Sequence, residues 1–211
     1  MSRWPAFRSA ALTASLLFAA DAFAQGTPPS PPLPPPRPDQ TKKVEPVPDT
    51  PKGLDSLFER LAKAEDEEEA KGIANLIERR WLRSGSDVVD LLMSRGMSAM
   101  QQKDQDLPQA IELFDRVLQL EPQFAEAYNK RATAFFLLGD YQRSMLDVRE
   151  TLAREPRHYG ALAGLGQILL VNGDKKRAME AFRKASQLNP RMPNVKAVIE
   201  RLAPDVDGRD T

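Results

Sequence analysis

The chain has 211 residues, with 30 Lys and Arg, 30 Asp and Glu, no Cys and a single His. The lack of Cys excludes disulfide bonds, thiolate metal sites and a cysteine nucleophile, and the single His excludes a multi-histidine metal site. A formal net charge of zero gives no support to nucleic-acid binding, which requires a basic face that neutralises phosphates.

Residues 1–24 have the pattern of a secretory signal peptide. Arg3 and Arg8 form a basic start, residues 9–20 are uncharged and mostly apolar, and residues 22–24 (Ala-Phe-Ala) match a cleavage site. The apolar run is shorter than the ~20 residues that cross a bilayer, so cleavage after Ala24 is favoured over retention as an anchor. This pattern predicts a periplasmic or secreted mature chain without a membrane span.

Residues 25–52 form a proline-rich segment, with 11 prolines between Pro28 and Pro51. Proline fixes φ and lacks an amide donor, so the composition predicts a disordered linker that is largely polyproline II. Two roles remain open. The PxxP spacing within residues 31–38 can dock into a proline-binding groove, whereas a plain spacer is the favoured interpretation.

Two amphipathic stripes over residues 53–87 predict an N-terminal helical hairpin that caps the helices following it. The apolar positions are Leu54, Leu57, Phe58 and Leu61, then Ala70, Ile73, Ala74, Ile77 and Trp81. The acidic run 65–69 is interpreted as the first turn of the second helix, favoured by the helix dipole, rather than as a metal site. Residues 84–87 (Ser-Gly-Ser-Asp) indicate a break before the next helix.

Residues 88–190 contain a 34-residue period with blocks at 91–124, 125–158 and 159–192. Pro122, Pro156 and Pro190 mark the period. The other columns are an Asp set, two small sets and two large apolar sets: Asp106/Asp140/Asp174, Ser98/Ala132/Gly166, Ala110/Ser144/Ala178, Ile111/Met145/Met179 and Phe114/Val148/Phe182. Such self-similarity is the signature of a repeat protein.

Each block predicts two antiparallel helices. In the third block, Gly173 and Asp174 separate two apolar stripes, since Gly can end a helix and Asp can cap the next one. Gly166 and Ala178 allow the two helices to approach closely, and Phe182 fills the space beside them.

The blocks resemble the tetratricopeptide repeat (TPR) family over about 100 residues. The third block matches most closely, through Leu162, Leu165, Gly166, Leu169, Ala178, Phe182, Ala185 and Pro190. The second keeps Tyr128, Ala132, Phe135, Leu152 and Pro156, and the first departs more from the pattern. The resemblance implies an all-α solenoid of three antiparallel helix pairs.

After the repeats, the apolar positions Val195, Val198, Ile199 and Leu202 predict a C-terminal capping helix over residues 191–203. Residues 204–211 are predicted to be a disordered tail.

The resemblance also implies a binding groove lined by the first helix of each pair. Its ligand-contacting columns correspond here to Arg95, Gln102, Asn129, Thr133, Phe136, Gln167 and Leu170. This mixed polar and apolar lining suits a peptide or protein partner, and no cofactor or metal is expected.

No constellation of residues indicates catalysis, and the chain is expected not to be an enzyme. His158 is interpreted as a surface or helix-capping residue. Met93, Met97 and Met100 can form an adaptable binding surface, although their spacing is more typical of a core. The sequence therefore predicts a protein-interaction module of the cell envelope. A structural spacer or an accessory subunit is the alternative, and the oligomeric state is left open.

Overall fold

The computed structural model describes residues 51–101 and 105–208. The predicted signal peptide, most of the predicted linker and residues 209–211 lie outside these ranges. Within them the chain forms nine α-helices and no strand. The helices are α1 (Pro51–Ala62), α2 (Glu67–Trp81), α3 (Asp87–Gln101), α4 (Leu107–Leu120), α5 (Ala125–Leu137), α6 (Tyr141–Arg154), α7 (Tyr159–Val171), α8 (Lys175–Leu188) and α9 (Pro193–Val206). None of these helices is long and apolar enough to cross a membrane.

The predicted solenoid is confirmed. Helices α3/α4, α5/α6 and α7/α8 form three pairs, each packed on the next, and α9 packs against α8. The aspartates of the repeated column begin the second helix of each pair. Each accepts a hydrogen bond of 3.0 Å from the backbone amide three residues later: Asp106 from Gln109, Asp140 from Arg143 and Asp174 from Arg177.

The close approach predicted for the third pair is also present. A Cβ added to Gly166 would lie 2.7 Å from the ring of the fully buried Phe182. Gly173, at φ +80°, follows the end of α7 in the left-handed conformation that favours glycine.

The first pair differs from the predicted register because its internal turn is two residues longer. The backbone amides of Asp140 and Asp174 each donate to a carbonyl five residues earlier, whereas the amide of Asp106 donates to Ala99, seven residues earlier. Position 99 therefore aligns with positions 135 and 169, and the 34-residue column does not hold within α3.

The small residue at the first helix crossing is consequently Gly96 and not Ser98. A Cβ on Gly96 would lie 2.6 Å from the Phe114 ring, while Ser98 is exposed. The prediction that Ser98 shares a column with Ala132 and Gly166 was wrong, because the two extra residues in the turn shift the column by two positions, from Ser98 to Gly96.

The N-terminal hairpin packs in a different place from the one predicted. Its apolar side contacts the third pair, through Tyr159, Leu188 and Met192, rather than capping the first pair. Arg157 pairs with Asp55 at 2.7 Å and stacks on Phe58. The residues that the hairpin contacts lie in the α6–α7 connection, in α7 and α8, and just after α8. Helices α1 and α2 therefore pack on a part of the chain that is far from them in the sequence.

The helical part of the chain extends further than predicted at both its N-terminal and its C-terminal end. Pro51 opens α1 instead of ending the linker, because proline is compatible with the first helical turn. Helix α9 runs through Pro204 to Val206, past the predicted start of a disordered tail. Val206 packs on the core cluster beneath α8, and Asp205 and Asp207 pair with Lys175 and Arg183, which hold this last turn in place.

Candidate functional site

The first helices of the second and third pairs enclose a cavity of about 120 Å³, called here the inner groove. Its floor consists of small and apolar side chains from α5, α6 and α7, and its rim carries amide and hydroxyl groups. The lining residues are Asn129, Ala132, Thr133, Phe136, Ser144, Val148, Gly160, Gly164, Gln167 and Ile168. Four of the seven predicted contact residues thus come together at one site.

Hydrogen bonds orient the polar groups of the inner groove. The Thr133 hydroxyl donates to the backbone carbonyl of Asn129 at 3.0 Å, and the Ser144 hydroxyl donates to that of Ala132 at 2.8 Å. Asn129 donates its amide to Glu126 at 3.2 Å. The exposed side chain of Gln167 forms no hydrogen bond within the described part of the chain, so its amide can both donate to and accept from a peptide backbone.

The other three predicted contact residues lie elsewhere. Leu170 is partly buried against the core cluster of α7, α8 and α9. Arg95 is exposed, but the longer turn aligns it with Arg131 and Leu165 rather than with the groove column. Gln102 lies outside the described residues.

The corrected register brings methionines into the groove positions of α3. Met97 and Met100 align with Thr133 and Phe136, and both are partly buried. The sequence contained this signal, because the spacing of Met93, Met97 and Met100 equals that of positions 129, 133 and 136. Assigning the methionines mainly to the core is correct for Met93, which is 1% exposed.

A buried carboxylate, Glu126, contacts the inner groove through its hydrogen bond from Asn129. Glu126 accepts hydrogen bonds from His158 at 2.7 Å and from Asn129, and it pairs with Lys130 at 3.0 Å. Burial raises the pKa of Glu126, but the hydrogen bond from His158 and the charge of Lys130 outweigh burial and hold the pKa below its ordinary value. The charged carboxylate therefore fixes the Asn129 amide at the rim of the groove.

His158 caps α7 as predicted, but it is buried rather than on the surface. Its Nδ1 accepts a hydrogen bond from the Ala161 amide at 3.1 Å, so the ring proton lies on Nε2 and is donated to Glu126. The ring stacks on Trp81 of the hairpin, with centroids 4.1 Å apart. Both ring nitrogens of His158 thus have hydrogen-bond partners within the chain.

Comparison with known proteins shows the family. A profile described as tetratricopeptide repeat matches residues 95–148 and 147–193. A TPR repeat-containing protein from Rhizobium etli is 35% identical over 158 residues, covering 75% of this chain and 76% of the relative. The chain belongs to the tetratricopeptide repeat family. Anaphase-promoting complex subunit 3 of Schizosaccharomyces pombe is 32% identical over 82 residues, which is 39% of this chain and 12% of that protein.

Solved structures show the same fold. The first TPR domain of Spaghetti bound to an HSP90 peptide has a TM-score of 0.53 and 16% identity, covering 57% of this chain and 94% of that one. The Yersinia enterocolitica type III secretion chaperone SycD, in complex with a peptide of the translocator YopD, has a TM-score of 0.53 and 15% identity. The match covers 57% of this chain and 95% of the SycD chain. Repeats of this family typically mediate binding to proteins or peptides.

Proposed function

We propose that the chain is a non-catalytic interaction module that holds a peptide segment of a partner protein in the inner groove. The observation that carries this proposal is the convergence of Asn129, Thr133, Phe136 and Gln167 around one apolar-floored cavity. A ring, two amides and a hydroxyl over a floor of small side chains match a short segment held by backbone hydrogen bonds and one or two apolar side chains. The peptides bound by the first TPR domain of Spaghetti and by SycD support the same use of the fold.

The proposal is tested by site-specific photo-crosslinking in cells. A benzophenone amino acid at Thr133 should capture a discrete partner, because this exposed side chain lines the groove. The same probe at Glu112, an exposed residue of α4, is the matched control. Gln167→Glu should abolish the Thr133 product without changing the melting temperature. Equal products at both positions, or a product that survives Gln167→Glu, would overturn the proposal.

We further propose that the partner is met outside the cytoplasm, in the periplasm or after secretion. The support is the sequence of residues 1–24, with its basic start, short apolar run and Ala-x-Ala site. Amino-terminal sequencing of the chain recovered from cell fractions should give a start at Gln25 in the periplasm or the medium. An uncleaved chain in the cytoplasmic fraction would overturn this assignment.

A further inference from the structure

The opposite side of α7 lines a second depression, between α6 and α8, called here the outer groove. Three adjoining cavities of about 770, 290 and 340 Å³ follow one another along it. Neighbouring cavities share lining residues, so the groove is continuous. Its floor is apolar and consists of Met145, Leu152, Leu162, Leu165 and Leu169.

The corresponding space between α4 and α6 is filled by charged side chains. The Arg131 guanidinium bridges Asp115 at 2.5 Å and Asp147 at 2.7 Å, and its side chain is 19% exposed. The hydrogen bond to Asp147 raises the pKa of Arg131 above its ordinary value, against the opposing effect of burial. Two stacks cover the aromatic rings beside it, Arg143 on Phe135 and Arg154 on Tyr128, both at 4.3 Å. Charged side chains thus occupy the space between α4 and α6 that corresponds to the outer groove.

The outer groove lacks all three charged residues that form this ion-pair bridge. One repeat period later, Leu165 stands in place of Arg131, Arg149 in place of Asp115, and Ala181 in place of Asp147. A cation held between two carboxylates is thus replaced by a leucine between an arginine and an alanine. The leucine cannot neutralise the arginine, and the alanine is too short to cover the leucine.

Charge on the rim of the outer groove is unevenly matched. Arg149 and Lys184 are exposed and form no ion pair within the described ranges. Of the two carboxylates on the rim, Asp174 caps α8 and lies 3.5 Å from Arg177, while Glu180 is exposed. The groove therefore combines an apolar floor with two cations, Arg149 and Lys184, that have no ion-pair partner among residues 51–101 and 105–208.

We propose that the outer groove docks an amphipathic helix from a partner protein, with an apolar stripe on the floor and acidic side chains on the flanks. The floor from Leu162 to Leu169 spans seven helical steps, or about 10.5 Å, which suits two turns of a bound helix. Acidic flanks would pair with Arg149 and Lys184 and would disfavour a basic helix of the same apolar pattern. The site is separate from the inner groove, and its failure would leave the function proposed there untouched.

The test uses the purified chain and two synthetic fluorescent helices that share leucines at i, i+3 and i+7. One carries glutamates on both flanks and the other carries lysines. Fluorescence anisotropy should give a Kd at least about tenfold lower for the glutamate helix. Arg149→Glu combined with Lys184→Glu should remove this preference, whereas Arg116→Glu, an exposed change on α4, should not.

Two further variants keep the proposal falsifiable. Leu165→Arg with Ala181→Asp copies the Arg131–Asp147 pair and should abolish binding while circular dichroism still shows a folded chain. Gln167→Glu, in the inner groove, should leave binding of the glutamate helix unchanged. Equal affinity for both helices, binding that survives the filled groove, or loss of binding through Gln167→Glu alone would each overturn the proposal.

Discussion

Two glycines of α7, only two positions apart, have different packing environments. A Cβ at Gly166 would lie 2.7 Å from the buried Phe182 ring, whereas a Cβ at Gly164 would meet only Val148, at 4.0 Å. We expect Gly166→Ala to lower the free energy of unfolding by about 1–3 kcal/mol, since a core that is already filled must shift. Gly164→Ala should instead raise it by up to about 1 kcal/mol through helix propensity. Chemical denaturation of both variants measures this; a shift of equal sign would contradict the packing described.

The Glu126 carboxylate gives stability a specific dependence on pH. Because its folded pKa lies below the ordinary value of 4.5, its contribution is present above that value and is lost as the pH falls through the folded pKa. We expect Glu126→Gln to cost about 1.5–3 kcal/mol at pH 7, the usual range for a hydrogen bond to a charged group. The difference from the unmodified chain should shrink in acid below pH 4.5.

Denaturation curves between pH 7 and pH 3 test this expectation. The matched control is Glu112→Gln, whose carboxylate is exposed and pairs with Arg116 on the same helix. That change should be nearly neutral at every pH. A constant Glu126→Gln difference down to pH 3 would show that the ionised carboxylate is not what stabilises the site.

At the scale of the helices, one capping residue type sets the start of the second helix in each repeat. Asp174 accepts the Arg177 amide at 3.0 Å, so Asp174→Ala should cost about 1 kcal/mol. Asp174→Asn keeps the acceptor oxygen and should lose only a few tenths of a kcal/mol. Thermal unfolding of both variants checks this. If Asp174→Asn lowers the stability as much as Asp174→Ala does, then the ion pair with Arg177, and not the cap, is what stabilises the start of α8.

Most helices could be predicted from the sequence because their signals are local. The Asp caps, the Gly166–Phe182 contact and the helix-ending Gly173 all follow from the 34-residue period. The register of α3 could not be predicted from that period, because the turn after it has two extra residues. The structure brings Asn129, Thr133, Phe136 and Gln167 together at the inner groove, whereas the longer turn moves Arg95 out of the groove column.

The position of the hairpin could not be predicted for a different reason. Its apolar stripes show that α1 and α2 bury one face, but they do not identify the partner. The partner is set by Trp81 stacking on His158 and by Tyr159 donating to Glu78 at 3.1 Å. These are single contacts between residues about 80 positions apart, and no periodicity marks them.

At the scale of the whole molecule, the hairpin changes how the solenoid should respond to unfolding. In a simple repeat array each unit contacts only its neighbours, so the opening of one repeat affects distant repeats only through those between them. Here the Arg157–Asp55 ion pair and the hydrogen bond from Arg191 to the Glu65 carbonyl, at 2.8 Å, connect the first helices to the last repeat. Helices α1, α2, α7 and α8 should therefore form one cooperative unit.

Trp81 offers a way to separate that unit from the rest. Trp81→Ala removes the stack on His158 and should lower protection in α1, α2, α7 and α8 by about 3 kcal/mol, as for other large aromatic truncations. Trp81→Phe should preserve this protection. An aromatic ring remains to stack on His158, and the buried Nε1, which has no partner within the described chain, is removed. Helices α3 to α6 should keep their protection in both variants.

Hydrogen exchange resolved by helix distinguishes this coupling from a general loss of stability. Leu146→Ala serves as the control, since that side chain is 58% exposed on α6 and should leave every helix unchanged. A uniform fall in hydrogen-exchange protection across all helices of the Trp81→Ala variant would mean that the whole chain unfolds as one unit. An unchanged α7 would mean that the hairpin frays by itself, without support to the third repeat. Only a fall in protection that is shared by α1, α2, α7 and α8 and absent from α3 to α6 fits a hairpin that joins the first helices to the last repeat.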